Sequence, residues 1–317
     1  MDELDRSARV LVAGSGGLVG SAVVRALESA GFTDVVGARS AQVDLRDADA
    51  AREFVTATAP AVVVDAAARV GGIAANNARP VEFLHDNLRI QANLLDAAHA
   101  ADTGRVLFLG SSCIYPKFAE QPIREDSLLT GPLEATNDAY AVAKIAGIMG
   151  VQSYRREYGR RWISAMPTNL YGPGDNFDLE SSHVLPALIR KFHEAARDGS
   201  EQVVVWGTGT PRREFLHVDD LAAACVHLLE AYDDPAPINV GTGQDVTIAE
   251  LASAVARTVG FTGEIVYDTS RPDGTPRKVL DVSKIEATGW KPTIGLAEGL
   301  ASTYRWYLDN IVVEAGT

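Results

Sequence analysis

The sequence predicts an α/β protein: a doubly wound parallel sheet with a smaller, discontinuous α/β lobe on top. Three observations carry this reading. Short apolar runs alternate with helix-period segments through the first half of the chain. A glycine-rich turn follows the first of those runs. Past Gly172 the alternation breaks into short, mixed elements.

"RVLVAG" (Arg9 to Gly14) reads as the first strand, and Leu18 to Gly31 as a helix with a glycine stop. "DVVGA" (Asp34 to Ala38) is the second strand, and a helix spans about 48–58. "AVVVDAAA" (Ala61 to Ala68) is the third strand, and Pro80 opens a helix to about Ala101. "RVLFLGSS" is strand four, 138–158 a helix, and "RWISAMP" (Arg161 to Pro167) strand five. "YGPGDNF" then reads as loop. After it come the strands "QVVVWG", "REFLHV", "INVGTG" and "EIVYD", and helices at 219–232, 248–259 and 296–309. "SRPDGTPRK" reads as a loop.

Composition excludes several classes. The 317 residues are 46% hydrophobic and carry a formal net charge of −13, and mean hydropathy is near zero. That charge disfavours sequence-independent binding to nucleic acid or to an anionic membrane. No apolar run approaches the ~18 residues of a membrane span. "MDELDRSARV" is polar and acidic, unlike a secretory leader. Cys113 and Cys225 are the only cysteines. They offer no metal spacing, and the expectation is two free thiols in a reducing cytoplasm. Cys225, within "LAAACVHLL", reads as core.

Gly14, Gly17 and Gly20 are spaced GxxGxxG directly after the first strand. Glycine there permits a tight turn, close approach of a pyrophosphate and packing of the helix on the sheet. Leu18 and Val19 open that helix, whose free N–H groups face the phosphates. The chemistry-free alternative is a plain strand–turn–helix corner. Its position on the first βα turn favours a Rossmann-type dinucleotide site. Residues 1–172 then form the cofactor domain, with about 214–242 returning to it, and 173–213 with 243–317 form the substrate lobe. Strand two ends in Arg39 and Ser40, with no acid for a ribose 2′-hydroxyl. Arg39 suits a 2′-phosphate, hence NADP(H), against the alternative of a solvated surface arginine. Asp44 is placed near the adenine.

Tyr140 and Lys144 form YxxxK, one helical turn apart on one face. An ammonium beside a phenol lowers its pKa from about 10 and makes it a better proton donor to a carbonyl. Ser111, at the end of strand four, supplies a second hydroxyl for the same oxygen; Leu109, Gly110, Ser111, Tyr140 and Lys144 are placed at the cofactor, Lys144 on the nicotinamide ribose. YxxxK also occurs by chance on amphipathic helices; the serine and the glycine turn argue against chance here. A ketone held this way is acidified at both neighbouring carbons. Cys113, two residues past Ser111, points to the same side if the strand continues. As a thiolate of lowered pKa it is a candidate base, against the alternative of a small buried packing residue. His183, at a helix start in "SSHVLPAL", is the candidate acid, against a surface histidine.

With those residues in view, the chain resembles the GDP-L-fucose synthases of the extended short-chain dehydrogenase/reductase class. The resemblance covers nearly the whole chain. It is carried by "VGGIAANN", "LFLGSSCIYPK", "PTNLYGPGDNF", "SHVLPALIRKFHEA", "VVVWGTGTPRREFLHVDDLA" and "PDGTPRKVLDVS". It implies that Ser111, Tyr140 and Lys144 are the reductase triad, Cys113 the epimerisation base and His183 the epimerisation acid. It implies that Pro167, Thr168, Asn169, Leu170 and His183 neighbour the nicotinamide. Lys191, Trp206, Arg213 and Lys278 would bind the GDP-sugar, where cations suit a diphosphate and an aromatic suits a sugar or base face. The implied substrate is GDP-4-keto-6-deoxy-D-mannose, and the implied assembly a homodimer through the helices near 80–101 and 138–158. Two departures stand out: Ser15 and Gly16 replace a basic residue in the first turn, and Arg39 stands without the second cation of an RxR-like cluster.

Other readings stay open at this level. A reductase for a related GDP-4-keto sugar, such as a 6-deoxy-heptose, would keep most motifs. A 4,6-dehydratase would carry Thr-Asp-Glu where this chain has Ser111-Ser112-Cys113, and a simple 4-epimerase would lack the cysteine–histidine pair. A non-catalytic NADP-sensing protein would typically lose YxxxK.

Overall fold

The structure, a computed structural model, describes residues 4–271 and 273–313. Residues 1–3 of the acidic N-terminal stretch and Pro272 of "PDGTPRKVLDVS" therefore lie outside the described residues.

Six strands form one parallel sheet: β1 (Val10–Ala13), β2 (Val35–Ala38), β3 (Val62–Asp65), β4 (Arg105–Leu109), β5 (Ile163–Pro167) and, with β6 to β9 intervening in sequence, β10 (Ile238–Val240). Their order is β10-β5-β4-β3-β1-β2. Every residue of β1, β3, β4 and β5 is buried, which is why these strands read as unbroken apolar runs. Helices α1 (Leu18–Ser29) and α7 (Val218–Ala231) cover one face with a core of Val10, Val62, Leu107 and Ile163. Helices α2 (Ala48–Thr58), α4 (Pro80–Ala100) and α5 (Asp138–Tyr158) cover the other face over Leu11, Val63 and Phe108. Cys225 lies in the first of these cores, fully buried. The short α3 (Ile73–Ala78) precedes α4.

A third core joins α6 (Val184–Asp198), α8 (Ile248–Val259) and α10 (Leu296–Tyr307) to β7 (Gln202–Trp206) and β12 (Glu264–Asp268) around Phe192, Val205 and Leu251. Two small sheets link the regions. β6 (Asn169–Tyr171) pairs with β9 (Phe215–His217). β8 (Arg212–Arg213) is flanked by β11 (Val246–Thr247) and β13 (Arg277–Lys278). "REFLHV" is thus two strands, split at Glu214, because that residue's buried carboxylate accepts the N–H groups of Thr242, Gly243 and Leu280. "SRPDGTPRK" contains β13, a strand too short to announce itself by alternation. The short α9 (Ser283–Glu286) packs near β10.

Candidate active site

The carboxyl ends of β1, β3, β4 and β5 converge on one crevice, where a doubly wound sheet binds its ligands. At β1 the chain turns through Gly14 at φ +78°, and Gly17 caps α1 with no side chain over the helix end. A Cβ on Gly20 would strike the carbonyl of Gly14, and one on Gly14 would strike Ala66 of the neighbouring strand's end. The turn is therefore drawn flush against the sheet, leaving the α1 N–H groups of Leu18 and Val19 facing outward. Beside it lies a cavity of ≈400 Å³ lined by Ser15, Arg25, Gly37, Arg39 and Gln42 among others. Arg39 thus stands where the sequence places it. Arg25, a second cation at the wall, is tied to Asp219 at 2.8 Å; α1 periodicity alone gave no reason to single it out. Asp44 does not line this cavity. Its carboxylate is held by Arg46 at 2.8 Å, which lowers its pKa to about 2.

At β4 the strand does not continue past Gly110. Ser111 is still extended, but residues Ser112–Ile114 form a 3-10 turn. The expected strand spacing between Ser111 and Cys113 is therefore replaced by a turn in which Ser111 Oγ accepts the Cys113 N–H at 3.3 Å. The outcome is the same neighbourhood by a different route. Ser111 lies close enough to Tyr140 to act on its phenol. On α5, Lys144 Nζ donates to the Leu109 carbonyl at 2.8 Å and sits 4.8 Å from the centre of the Phe108 ring. Ser111, Cys113, Tyr140 and Lys144 are thus brought together.

Their electrostatics correct two expectations. The Tyr140 phenol is pushed up, not down: burial dominates, and Cys113 adds to it. The Cys113 thiol is also raised by burial, against the pull of Lys278, Ser111 and Lys144. Burial lowers the Lys144 ammonium, against Asp65 and Cys113. Burial pushes each group toward its neutral form, and at Lys144 the Asp65 and Cys113 charges oppose it.

His183 is the residue before α6 and makes no capping bond. The segment is pinned across the crevice: Gly72 N–H donates to the Ser181 carbonyl at 2.9 Å. A Cβ at Gly72 would strike Ser182, so "VGGI" needs that glycine to let the 181–182 segment pack on it. His183 itself is exposed at the start of α6, and among the described residues no hydrogen bond or ring contact joins it to the Ser111–Cys113–Tyr140–Lys144 cluster. Desolvation by the surrounding protein lowers the His183 imidazole. Arg213 and Lys278 are direct register partners on β8 and β13, so two cations from distant sequence stand side by side. Glu134 faces both and is bound by Lys117 at 2.9 Å and Thr275 at 3.2 Å. The sequence offered no signal for Glu134 or Lys117 beyond their place near the crevice segments. Further along, Lys191 and Arg271 lie 5.2 and 4.9 Å from the ring of Trp206, which is 55% exposed. Asn169 and Thr168 hydrogen-bond the Glu214 carbonyl at 2.8 and 3.4 Å, fixing the chain after Pro167; Leu170, in β6, packs on the sheet core.

A model of the NAD dependent epimerase/dehydratase family matches residues 10–241. The chain belongs to that family. Epimerase/dehydratase relatives match it end to end. "Probable GDP-L-fucose synthase 1" of Oryza sativa subsp. japonica is 57% identical over 97% of this chain and 94% of its own. The "GDP-L-fucose synthase" of Escherichia coli (strain K12) is 52% identical, covering 95% and 97%. A solved structure described as a "gdp-l-fucose synthetase from Naegleria fowleri bound to NADP" superposes with a TM-score of 0.89 at 30% identity, covering 98% and 96%.

Proposed function

We propose that this protein acts as a GDP-L-fucose synthase. It inverts C3 and C5 of GDP-4-keto-6-deoxy-D-mannose and then reduces the C4 ketone with NADPH. The observation that carries the reading is the meeting of Cys113 with Ser111, Tyr140 and Lys144 under the field of Lys278.

The residues fit NADP(H). Gly14 and Gly20 draw the turn flush against the sheet, which puts the start of α1 at the sheet's carboxyl edge, and Arg39 supplies a cation for the 2′-phosphate in the adjoining cavity. When bound, NADPH supplies the hydride. Ser111 and Tyr140 hold the ketone oxygen by two hydroxyls, which stabilises the enolate formed when a neighbouring carbon loses its proton. Cys113 takes that proton as thiolate. Burial raises its pKa and Lys278 lowers it, so ionisation depends on Lys278 and on the substrate's own groups. His183 returns a proton from the opposite side; a lowered imidazole pKa makes its protonated form a strong acid. Tyr140 gives the final proton to the alkoxide oxygen, and Lys144 offsets the phenolate charge. Arg213 and Lys278 hold the diphosphate, and Trp206 with Lys191 a base or sugar face.

We read a cofactor domain of 1–172 with about 214–242 and a substrate lobe of 173–213 and 243–317; the third core around α6, α8 and α10 supports the lobe, whereas Leu280, Ile285 and Trp290 pack on the sheet cores. A homodimer would use the outer faces of α4 and α5, where Val81, Val142 and Met149 are exposed. Among the described residues no helix is long and apolar enough to cross a membrane; two free thiols suit a cytoplasmic setting.

The deciding experiment is NADPH consumption with GDP-4-keto-6-deoxy-D-mannose and identification of the product by NMR. GDP-L-fucose is expected. GDP-D-rhamnose would remove Cys113 from its role, and binding of NADPH without consumption would favour a different keto sugar or a sensing protein.

A further inference from the structure

Asp65, the last residue of β3, is completely buried. A carboxylate there is costly and nothing in the fold requires it: one oxygen accepts the Ala67 N–H at 3.1 Å, and the other has no partner among the described residues. Side chains alternate along a strand, so Asp65 shares the face of Val63, toward α4 and α5. Its register partner on β4 is Phe108. The Lys144 ammonium lies over that same Phe108 ring, 4.8 Å from its centre, and is only 3% exposed. No salt bridge within 4.0 Å joins the two charges. Both meet at Phe108, and both side chains are buried, so bulk solvent screens the two charges little.

We propose that Asp65 is a positioning residue for Lys144, its buried carboxylate being the counter-charge that keeps the Lys144 ammonium protonated in a site closed to water. This rests on reading Tyr140 and Lys144 as the reductase pair. The Lys144 ammonium is faced by Asp65 from β3 and by Cys113 from the 3-10 turn. Cys113 is faced by Lys278, Ser111 and Lys144, and Tyr140 by Cys113 and Ser111. Among the described residues Lys144 is the one charged group that acts on Asp65. Burial raises Asp65, and with Lys144 and the Ala67 N–H pulling against it the carboxyl comes to about 6. An acid whose folded pKa is raised destabilises the fold as pH climbs from the unfolded value toward about 6, and fully above it. The carboxylate is therefore a cost to stability that Lys144 chemistry can explain.

Asp65→Asn keeps the shape and the acceptor for Ala67 but removes the charge; Asp65→Leu is a second variant that also removes the unpartnered polar atom. Three readings are taken across pH: NADPH consumption with the keto sugar, NADPH affinity by fluorescence, and melting temperature. In both variants the alkaline limb of consumption is expected to move to lower pH by about one unit, since Lys144 loses a favourable charge. NADPH affinity is expected to fall at pH values where wild type still binds, and the Asn variant to melt no lower than wild type at pH 8. An unmoved limb and an unmoved affinity curve, with a melting temperature lowered at every pH, would assign Asp65 to packing and overturn the proposal. Wild type that consumes no NADPH would sink the reductase reading separately, while affinity and melting still decide Asp65.

Discussion

Lys144 and Lys191 both rest against an aromatic ring, at 4.8 and 5.2 Å, yet their surroundings are opposite. Lys144 is sealed between α5 and β4, donates to a backbone carbonyl and has Asp65 and Cys113 as its electrostatic neighbours. Lys191 lies half-buried over the open face of Trp206, shares that ring with Arg271, donates to the Val204 carbonyl at 3.3 Å, and among the described residues has no carboxylate acting on it. Burial lowers both ammonium groups, but only in the sealed site do Asp65 and Cys113 oppose it. The difference separates two tasks. Proton transfer needs charges whose state neighbouring groups set, and water would screen them. Holding a nucleotide needs cations and an aromatic face that can move aside for the ligand, where screening is tolerable.

The largest expected effects lie in the sealed region. Tyr140→Phe removes the proton donor and should slow NADPH consumption by ~10²-fold or more; near-normal consumption would break the comparison at its base. Cys113→Ser should abolish most incorporation of solvent deuterium into the sugar, by ~10²-fold, while NADPH affinity changes little. Deuterium exchange at the wild-type rate would return Cys113 to the core. A sharper cut is Lys278→Gln. Lys278 is the leading influence that lowers the Cys113 thiol against burial, so without it the thiol pKa rises. Exchange should then fall at neutral pH and begin only at higher pH; the pH profile of exchange reads this directly. Smaller effects belong to the open region. Trp206→Ala should raise KM for the GDP-sugar ~10-fold with kcat held, the loss of about 1.4 kcal/mol of stacking. A drop in kcat instead would mean that the two regions are not separable. Arg39→Ala should weaken NADPH several-fold more than NADH; equal loss in direct titration would mark it as a surface arginine.

Much of this was legible in the chain. Buried strands appear as apolar runs, and the glycine turn and YxxxK are local patterns with fixed spacing. Cys113 was legible as a neighbour of Ser111 but for a reason that did not hold, since a 3-10 turn and not a continuing strand places it there. Arg213 beside Lys278 was invisible as a pair, because a two-residue strand leaves no periodic trace. Glu214 was unremarked, although its carboxylate receives three backbone N–H groups from two other segments. Such a hub exists only once the segments have met. Asp65 reads in sequence as one polar residue at the end of a valine run.

The sequence by itself determined the alternation of the sheet, the first turn's capacity for a dinucleotide, and the residue types available for acid–base chemistry, because each depends on spacing within one element. Only the tertiary structure decided which charges face one another and how dry they are. Asp65, Phe108 and Lys144 come from three elements, and the direction in which each acid or base shifts follows from the water excluded when those elements close.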